Sequence, residues 1–278
     1  MHIPTEMIDR WIEEDVPGVD LTSHLLQMSS YQAQITFSTR TPTFVSGVDE
    51  AAAVLAKLGV RIEIARPEGS RLEPGEKIFS GCGDGRAIHA GWRVALNLME
   101  YASGIASRTA QLVEQARKGG DVLVCGTRKA FPGGRRLSQK ALFAGGGVPH
   151  RMGLGETVLI FPHHYNLIGF ERFLEELPAL KRRAREKKIG VEADTPQQAL
   201  LFAEHGADII QLDKCSPAEV AQAVEMLREK RQDIVIGAAG GVNADNALDY
   251  ALTGVDMLVT SWMYFGKPAD IAAAIDPV

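Results

Sequence analysis

The chain has 278 residues, a formal net charge of −5 at pH 7 and 45% hydrophobic residues, which is typical of a globular protein with one large or two modest domains. The acidic balance argues against nucleic-acid binding, and the lack of any apolar run of about 18 residues argues against a membrane span. A polar, acidic N-terminus does not resemble a signal peptide, and three cysteines without metal-ligand spacing favour a reducing compartment, so we expect a cytoplasmic protein.

The first 110 residues predict short strands separated by turn-rich segments. Strands are predicted at Gln34–Phe37, Arg61–Ala65 and Lys77–Gly81, and a helix at Asp49–Leu58. A long helical pattern then runs from about Trp92 to Lys118. Gly104 within it indicates either a break or a point of close packing.

After residue 120 the pattern changes to alternating strands and helices. The predicted strands are Asp121–Cys125, Thr157–Phe161, Lys188–Glu192, Asp208–Asp213, Asp233–Ala238 and Val255–Thr260. The predicted helices are Phe170–Arg185, Pro196–His205, Pro217–Arg231 and Asn243–Leu252, with Thr195, Ser216 and Asn243 as N-caps. Short apolar strands alternating with helices predict a parallel sheet, either a closed barrel or a doubly wound sheet.

Polar residues favour the barrel, because they follow almost every predicted strand at its C-terminal end. They are Thr127-Arg128-Lys129, Glu192, Asp213-Lys214, Gly240-Gly241 and Thr260-Ser261. In an α/β barrel these ends converge on one mouth, where active sites are built. Asp213 alone could equally be a surface cap, but the repeated placement predicts an active-site mouth.

The segment from Gly126 to Arg151 is cationic and rich in glycine, and it contains no acidic residue. Its charged members are Arg128, Lys129, Arg135, Arg136, Lys140, His150 and Arg151. Arginine side chains bind carboxylate and phosphate bidentately, and glycines let backbone N–H groups approach a ligand. A solvated basic loop is the alternative, but apolar residues alternate with the charges, which favours a site for a multiply anionic small molecule.

The expected chemistry has two electrostatic halves. Arg128, Lys129, His150 and Arg151 supply positive charge for an anionic substrate, and Glu192 with Asp213 supplies carboxylates that suit Mg²⁺ or a cationic transition state. Gly240-Gly241, before a helix predicted near Asn243, offers N–H groups to a terminal phosphate. These parts suit a phosphorylated sugar with a pyrophosphate leaving group, and an acidic co-substrate.

Three other features carry weaker interpretations. His163-His164 is a poor metal site, because adjacent side chains rarely converge on one ion, and a structural role fits better. The run KRRAREKK (181–188) resembles a nucleic-acid patch but ends a predicted helix, where cations favour the helix dipole. Cys125 and Cys215 are interpreted as small buried residues, with a nucleophilic role as the remote alternative.

A set of motifs in fixed order resembles the quinolinate phosphoribosyltransferase (nicotinate-nucleotide pyrophosphorylase) family over nearly the whole chain. They are ALNLMEYASGIASRT, GTRKAFPG, GGGVPHRMGL, VLIFPHH, GVEAD, GADIIQLDK and AAGGV. The variants QLDK, AAGGV and LVTSWMYFGKPADI are most similar to the molybdenum-transport-associated ModD branch of that family.

The resemblance implies an N-terminal α/β open-faced sandwich (1–110, completed by about 268–278) and an incomplete seven-stranded α/β barrel (111–267). It implies a cytoplasmic homodimer with shared active sites, to which the partner donates the arginine that matches Arg93. Phosphoribosyl pyrophosphate and an anionic co-substrate would be the ligands, with no nucleic acid and no membrane. The remaining residues match family positions for the co-substrate carboxylates (Arg128, Lys129, His150, Arg151), for catalysis (Glu192, Asp213, Lys129), for Mg²⁺ (Glu192, Asp213) and for the 5′-phosphate (Gly240, Gly241).

The chain departs from the family pattern at three positions. A family lysine is Phe161 here, although His164 keeps the histidine of the same segment and is a substrate-binding candidate. Trp92 replaces a glutamate before Arg93, and Ser261 stands where the family has a phosphate-binding glycine. Because one charge-assisted contact is worth about 1.5–3 kcal/mol, these changes predict an altered co-substrate pocket, which argues against quinolinate itself.

Two functions from different classes follow. The first is a phosphoribosyltransferase that acts on a carboxylated nitrogen heterocycle, releases pyrophosphate and is linked to molybdenum transport. The second is a non-catalytic anion-binding accessory protein of molybdenum handling. The retained Glu192 and Asp213 favour the enzyme, because carboxylates beside an anion would only weaken its binding. Whether decarboxylation follows transfer stays open.

Overall fold

The computed structural model describes residues 1–28 and 31–278 and divides into two compact units. Unit one comprises Met1–Ala110, Ala130–Gly146 and Met263–Val278, and unit two comprises Gln111–Lys129 and Gly147–Trp262. The predicted boundaries placed residues 130–146 and 263–267 in the barrel, whereas the structure assigns both to unit one.

Among its described residues, unit one contains four short helices and six strands, together with most of the long helix α4 (Gly85–Arg117). The helices are α1 (Thr5–Asp15), α2 (Leu21–Leu25), α3 (Val48–Lys57) and α5 (Arg135–Ala144). The strands are β1 (Gln32–Thr39), β2 (Thr43–Phe44), β3 (Arg61–Ala65), β4 (Arg71–Leu72), β5 (Lys77–Asp84) and β13 (Ile271–Pro277). The main sheet is antiparallel in the order β13-β1-β5-β3, and β2 pairs with β4.

The core of unit one follows from the period-two pattern of its central strand. Along β1 the residues Ala33, Ile35 and Phe37 are buried and alternate with more exposed ones. They pack with apolar residues of α3 and α4, which cover one face of the sheet, as an open-faced sandwich requires. The C-terminal strand β13 pairs with β1 and forms an edge of this sheet.

The long helix is not interrupted at Gly104. A Cβ at that position would lie 2.9 Å from the Lys267 carbonyl oxygen and 3.1 Å from the Ala269 nitrogen. Glycine is therefore required for the backbone of the C-terminal segment to pass close to the helix. Of the two readings of Gly104, close packing is confirmed.

Unit two contains the end of α4, seven strands and five helices. The strands are β6 (Leu123–Gly126), β7 (Val148–Pro149), β8 (Val158–Ile160), β9 (Ile189–Ala193), β10 (Ile209–Asp213), β11 (Val235–Ala239) and β12 (Met257–Thr260). The helices are α6 (Pro162–Ile168), α7 (Phe170–Arg183), α8 (Pro196–Glu204), α9 (Pro217–Lys230) and α10 (Ala247–Ala251). Thr195 and Ser216 cap α8 and α9 as predicted, because each side chain accepts the backbone N–H three residues later.

The seven strands form one parallel sheet in the order β7-β6-β12-β11-β10-β9-β8, which confirms the incomplete barrel. The two outer strands β7 and β8 do not pair with each other, so the sheet curls without closing. Of these seven strands, β7 alone was not predicted from the sequence pattern, and it has only two residues. All strands run in the same direction, so their C-terminal ends lie at one edge of the sheet.

Candidate active site

A cavity of about 740 Å³ lies in unit two at the C-terminal ends of the barrel strands. Most of the residues predicted for the mouth line it. They are Thr127, Arg128, Lys129, His150, Arg151, Glu192, Asp213, Lys214, Gly240, Gly241, Thr260 and Ser261, with Leu159, Phe161, His163, Gln211, Ala239 and Val259 completing the wall. The volume is in the range of sites for small molecules.

The cationic part of the cavity is assembled by the pairing of β6 with β7. The register places Cys125 beside Val148 and Gly126 beside Pro149, so the residues that follow the two strands come together. The N–H of His150 donates to the Gly126 carbonyl at 2.9 Å and extends this pairing. Residues 22 positions apart in the chain, Arg128 and His150, therefore line the same cavity.

None of these cations lies within ion-pair distance of a carboxylate among the residues that the structure describes. Arg128, Lys129 and Arg151 form no ion pair within 4.0 Å in that part of the chain. Burial, followed by repulsion from Arg128, lowers the pKa of Arg151. Burial and the charge of Arg151 likewise lower the pKa of His150. A cluster of unpaired cations that repel one another is poised to bind an anion.

The acidic part of the cavity follows from strand geometry. Gln211 and Asp213 are two residues apart on β10 and therefore share one face of the sheet. The register of β9 with β10 places Glu192 directly beside Gln211, on the same face. On the other side of β10, Gly237 and Ala239 of β11 lie beside Gln211 and Asp213 and leave space because their side chains are small or absent.

Glu192 is the most strongly perturbed group of the cavity. Burial, with repulsion from Asp213 and Asp194, raises its pKa to about 7, although Gln211 and Lys129 act in the opposite direction. The Gln211 Nε2 donates to Glu192 Oε2 at 3.1 Å, and the buried Gln211 Oε1 has no hydrogen-bond partner among the described residues. Three crowded carboxylates leave a deficit of positive charge at this position.

Gly240 and Gly241 form a loop at the cavity, but no helix begins at Asn243. Both glycines have positive φ (84° and 99°), a region that favours glycine, and their N–H groups donate no hydrogen bond to the described residues. The side-chain amides of Asn243 and Asn246 donate to the Gly241 carbonyl and fix the loop. The helix α10 starts at Ala247, with Asn246 at its N-cap, so the predicted N-cap at Asn243 is wrong.

Comparison with protein families decides the identity of this fold. The C-terminal domain model of quinolinate phosphoribosyl transferase matches residues 105–273, and the N-terminal domain model matches residues 20–103. The chain belongs to the quinolinate phosphoribosyl transferase family. It is a phosphoribosyltransferase, and so a pentosyltransferase, by that membership.

Full-length relatives support the assignment. The chain is 35% identical to ModD of Pasteurella multocida, named as a pyrophosphorylase, over 99% of both chains. It is 38% identical to ModD of Rhodobacter capsulatus over 85% of this chain and 91% of that protein. It is 32% identical to the nicotinate-nucleotide pyrophosphorylase [carboxylating] of Rattus norvegicus over 95% of this chain and 87% of that protein.

Solved structures of the family have the same fold. The nicotinate-nucleotide pyrophosphorylase of Ehrlichia chaffeensis matches with a TM-score of 0.90 at 28% identity, covering 99% of this chain and 100% of that one. NadC from Streptococcus pyogenes, at 22% identity, matches with a TM-score of 0.90 over 100% of this chain and 99% of that one.

Two candidate residues of the family pattern lie outside the cavity. The Nδ1 of His164 accepts the Phe161 backbone N–H at 2.9 Å, so this side chain is used at the N-terminus of α6, and His163 lines the cavity instead. Arg93 belongs to unit one, where its guanidinium lies 4.0 Å from the centre of the Trp92 ring. Trp92 thus offers Arg93 a cation–π contact.

The family departure at Phe161 lies in the cavity wall. The Arg151 guanidinium is 5.9 Å from the centre of the Phe161 ring, within the range of a cation–π interaction. Ser261, the other departure, also lines the cavity, and the neighbouring Thr260 hydroxyl donates to the Val242 carbonyl at 2.6 Å. An aromatic ring therefore lines the cavity at the position where the resemblance implies a lysine.

The segment Gly126–Arg151 is divided between the two units. Arg135, Arg136 and Lys140 lie on α5 in unit one and do not line the cavity. The Lys140 ammonium is buried and contacts Glu50 at 2.8 Å, Asp49 at 2.8 Å and Glu68 at 3.2 Å. Burial opposes the charge of Lys140, but the hydrogen bonds to Asp49 and Glu50 outweigh it and raise its pKa.

The expectations for the cysteines and for the basic run agree with the structure, whereas His163, interpreted as structural, lines the cavity. Burial raises the pKa of the Cys125 thiol to about 12 and that of Cys215 to about 11, and neither residue lines the cavity, which argues against a thiolate nucleophile. The basic run closes α7, where Lys181 and Arg183 form exposed ion pairs with Asp208 and Glu176. No group of three potential metal ligands occurs among residues 1–28 and 31–278.

Sequence reasoning missed Gln211. The signal was present, because Gln211 lies two residues before Asp213 and so shares its face of the strand. A single polar residue inside the apolar run IIQLD is unusual for a buried strand of a parallel sheet.

Among the described helices, none is both long and apolar enough to cross a membrane.

Proposed function

We propose that this protein transfers the phosphoribosyl group of phosphoribosyl pyrophosphate to a nitrogen of a carboxylated heterocycle and releases pyrophosphate. The observation that carries the proposal is one cavity with unpaired cations on one side and the Glu192–Gln211–Asp213 row on the other. A protein that only bound anions would gain nothing from the carboxylates of this row. The link to molybdenum transport rests only on similarity to the ModD proteins.

The donor half of the cavity suits a phosphorylated ribose. The free N–H groups of Gly240 and Gly241, with the Ser261 hydroxyl, would bind the 5′-phosphate. Glu192 and Asp213 would face the ribose, and the bond from C1 to the diphosphate oxygen breaks as the bond from C1 to the acceptor nitrogen forms. Positive charge on the ribose about 4 Å from a carboxylate is stabilised by about 4 kcal/mol at an effective dielectric near 20, before desolvation.

Magnesium fits the acidic row. Burial, with repulsion from Asp213 and Asp194, raises the pKa of Glu192, and a divalent cation between Glu192 and Asp213 would relieve that repulsion. Mg²⁺ commonly binds one or two carboxylates and takes its other ligands from waters and substrate phosphates. When bound, it would neutralise the diphosphate leaving group. Lys129, which interacts with Glu192, adds a positive charge beside the same leaving group.

The acceptor half predicts a heterocycle other than quinolinate. Arg128, His150 and Arg151 would bind a carboxylate and hold the ring nitrogen in line with C1, a positioning effect. Phe161 offers the ring an apolar face where the family lysine would add a charge. Because the pocket has one cation fewer than the family pattern, it favours an acceptor with fewer carboxylates than quinolinate.

The proposal includes a homodimer in which Arg93 of one subunit completes the site of the other. Arg93 is exposed in unit one and forms no ion pair with the described residues, so its charge is free to act elsewhere. A monomeric mass in solution, measured by light scattering at assay concentrations, would rule this part out.

The test is pyrophosphate release from phosphoribosyl pyrophosphate and Mg²⁺ with a panel of acids that includes nicotinate and quinolinate. We expect turnover with at least one acid, and a loss of about 100-fold in kcat/KM in Arg128→Ala, because a charge-assisted bidentate contact is removed. Arg182→Ala, an exposed arginine on α7, is the matched control and should retain full activity.

The alternative function predicts the opposite pattern. A non-catalytic accessory protein would release no pyrophosphate with any acid and would bind molybdate tightly in the same cavity. That combination would contradict the enzymatic proposal, whereas turnover that disappears in Arg128→Ala would contradict the alternative.

A further inference from the structure

Lys214 has an unusual backbone conformation at the rim of the cavity. It directly follows Asp213 at the end of β10, lines the cavity, and has φ = 60°. Apart from Gln27, no other non-glycine residue in the described ranges has positive φ. This left-handed region favours glycine, asparagine or aspartate, so a lysine there is energetically disfavoured.

The neighbouring strand holds this conformation. The Lys214 N–H donates to the Ala239 carbonyl at 2.9 Å, which links the end of β10 to the end of β11. Gly240 lies so close that a Cβ on it would be 2.4 Å from the Lys214 nitrogen and 2.6 Å from its Cγ. The lower part of the lysine side chain therefore lies against the glycine loop.

The ammonium group of Lys214 lies beside the acidic row. Its Nζ is 3.5 Å from Asp213 Oδ2, and the lysine side chain is 81% exposed whereas that of Asp213 is 20% exposed. An ion pair with so exposed a lysine contributes little to stability. Neither folding nor packing thus accounts for a lysine at this position.

We propose that Lys214 binds the diphosphate group of the phosphoribosyl donor, an inference that rests on the proposed function. The Gly240 and Gly241 N–H groups are available to the 5′-phosphate, whereas the ammonium lies at Asp213, where the diphosphate and its Mg²⁺ are expected. On binding, the ammonium exchanges its carboxylate partner for phosphate oxygens. Lys214 would then be the second cation on the donor side, in addition to Lys129. Phe161 stands in place of a cation on the acceptor side.

The experiment is calorimetric titration of the full-length protein with inorganic pyrophosphate in the presence of Mg²⁺, and separately with ribose 5-phosphate. Lys214→Asn removes the charge and keeps a residue that tolerates positive φ, so the variant should fold. We expect its Kd for pyrophosphate to rise about 10-fold, as the loss of one charge-assisted contact predicts, and its Kd for ribose 5-phosphate to be unchanged. Lys214→Arg should retain affinity for pyrophosphate.

Lys187→Asn is the matched control, because Lys187 is exposed and lies before β9, at the opposite end of the same sheet. Equal pyrophosphate affinity in Lys214→Asn and in the unchanged protein would overturn the inference, and so would an effect confined to ribose 5-phosphate. Failure of the proposed function is distinguishable, because it appears as absent turnover in the unchanged protein, whereas the titration measures pyrophosphate binding without turnover.

Discussion

Cations from one short segment have opposite environments in the two units. In unit two, Arg128 and Arg151 line a cavity and form no ion pair with the described residues. In unit one, Lys140 is buried, and three carboxylates surround its ammonium. Sequence composition does not distinguish them, since all three lie in the same acid-free run of the chain.

This difference indicates that a cation paired with carboxylates stabilises the fold, whereas an unpaired cation is available to a ligand. A buried charge is tolerated only when it is paired and hydrogen-bonded, as Lys140 is, and its removal leaves unpaired carboxylates. Cations that are left unpaired beside one another, such as Arg128 and Arg151, repel one another, and we expect them to destabilise the fold slightly and to be available to a ligand.

The largest expected effect is on the free energy of unfolding, which should distinguish the paired cation from the unpaired ones. Lys140→Met leaves Glu50 buried without its partner, so the free energy of unfolding should fall by about 3–5 kcal/mol. Arg128→Met removes a repulsion and should leave the free energy of unfolding unchanged or slightly higher. Urea denaturation of both variants measures the difference.

Lys57→Met is the control for Lys140→Met, because Lys57 lies in the same unit and pairs with Asp9 at the surface. It should cost no more than about 1 kcal/mol. If Lys140→Met were as stable as Lys57→Met, the buried ion pairs would not stabilise unit one and the comparison would fail.

Glu192 extends the comparison from cations to a carboxylate, because Asp213 and Asp194 repel its charge. Its pKa in the folded protein, about 7, is above the ordinary value of 4.5, so the folded state holds the proton more tightly than the unfolded state. Stability should therefore fall as pH rises from about 4.5 through 7. Allowing for partial solvent exposure, Glu192→Gln should gain about 1–2 kcal/mol at pH 8 relative to the unchanged protein and lose catalytic activity.

Urea denaturation at pH 5.5 and 8 measures this effect, and at pH 5.5 the advantage of Glu192→Gln should shrink. The same pKa predicts that kcat/KM of the free enzyme falls as pH drops below about 7, if the carboxylate form is the active one. A pH-independent stability difference between the two proteins would show that Glu192 titrates normally.

The smallest expected effect concerns the choice of acceptor. Phe161→Lys restores the family's cation in the cationic half, so the ratio of kcat/KM for quinolinate to that for nicotinate should rise about 10-fold. Phe265→Lys, at an exposed position away from the cavity, should leave the ratio unchanged. An unchanged ratio in Phe161→Lys would mean that this wall does not contact the acceptor.

Much of the fold could be predicted because its signals are local. Ile209–Asp213 and Val235–Ala239 are short apolar runs bounded by turn residues, and Ser216 and Thr195 cap helices through contacts within three residues. The start of α10 was mistaken because Asn243 and Asn246 both have capping side chains, and the turn between them is decided by hydrogen bonds to the Gly241 carbonyl. The strand β7 was missed because two residues carry no periodicity.

The sequence by itself determined the family, the parallel barrel and most of the candidate site, since the chemistry-bearing residues follow successive strands whose ends must meet. Only the tertiary structure decided which charges face the cavity. Lys140 and Arg128 have similar neighbours in sequence, and their roles differ because one packs against the carboxylates of Glu50 and Glu68 and the other does not. Such partners are distant in the chain, and sequence alone does not show whether a charge is neutralised where it lies.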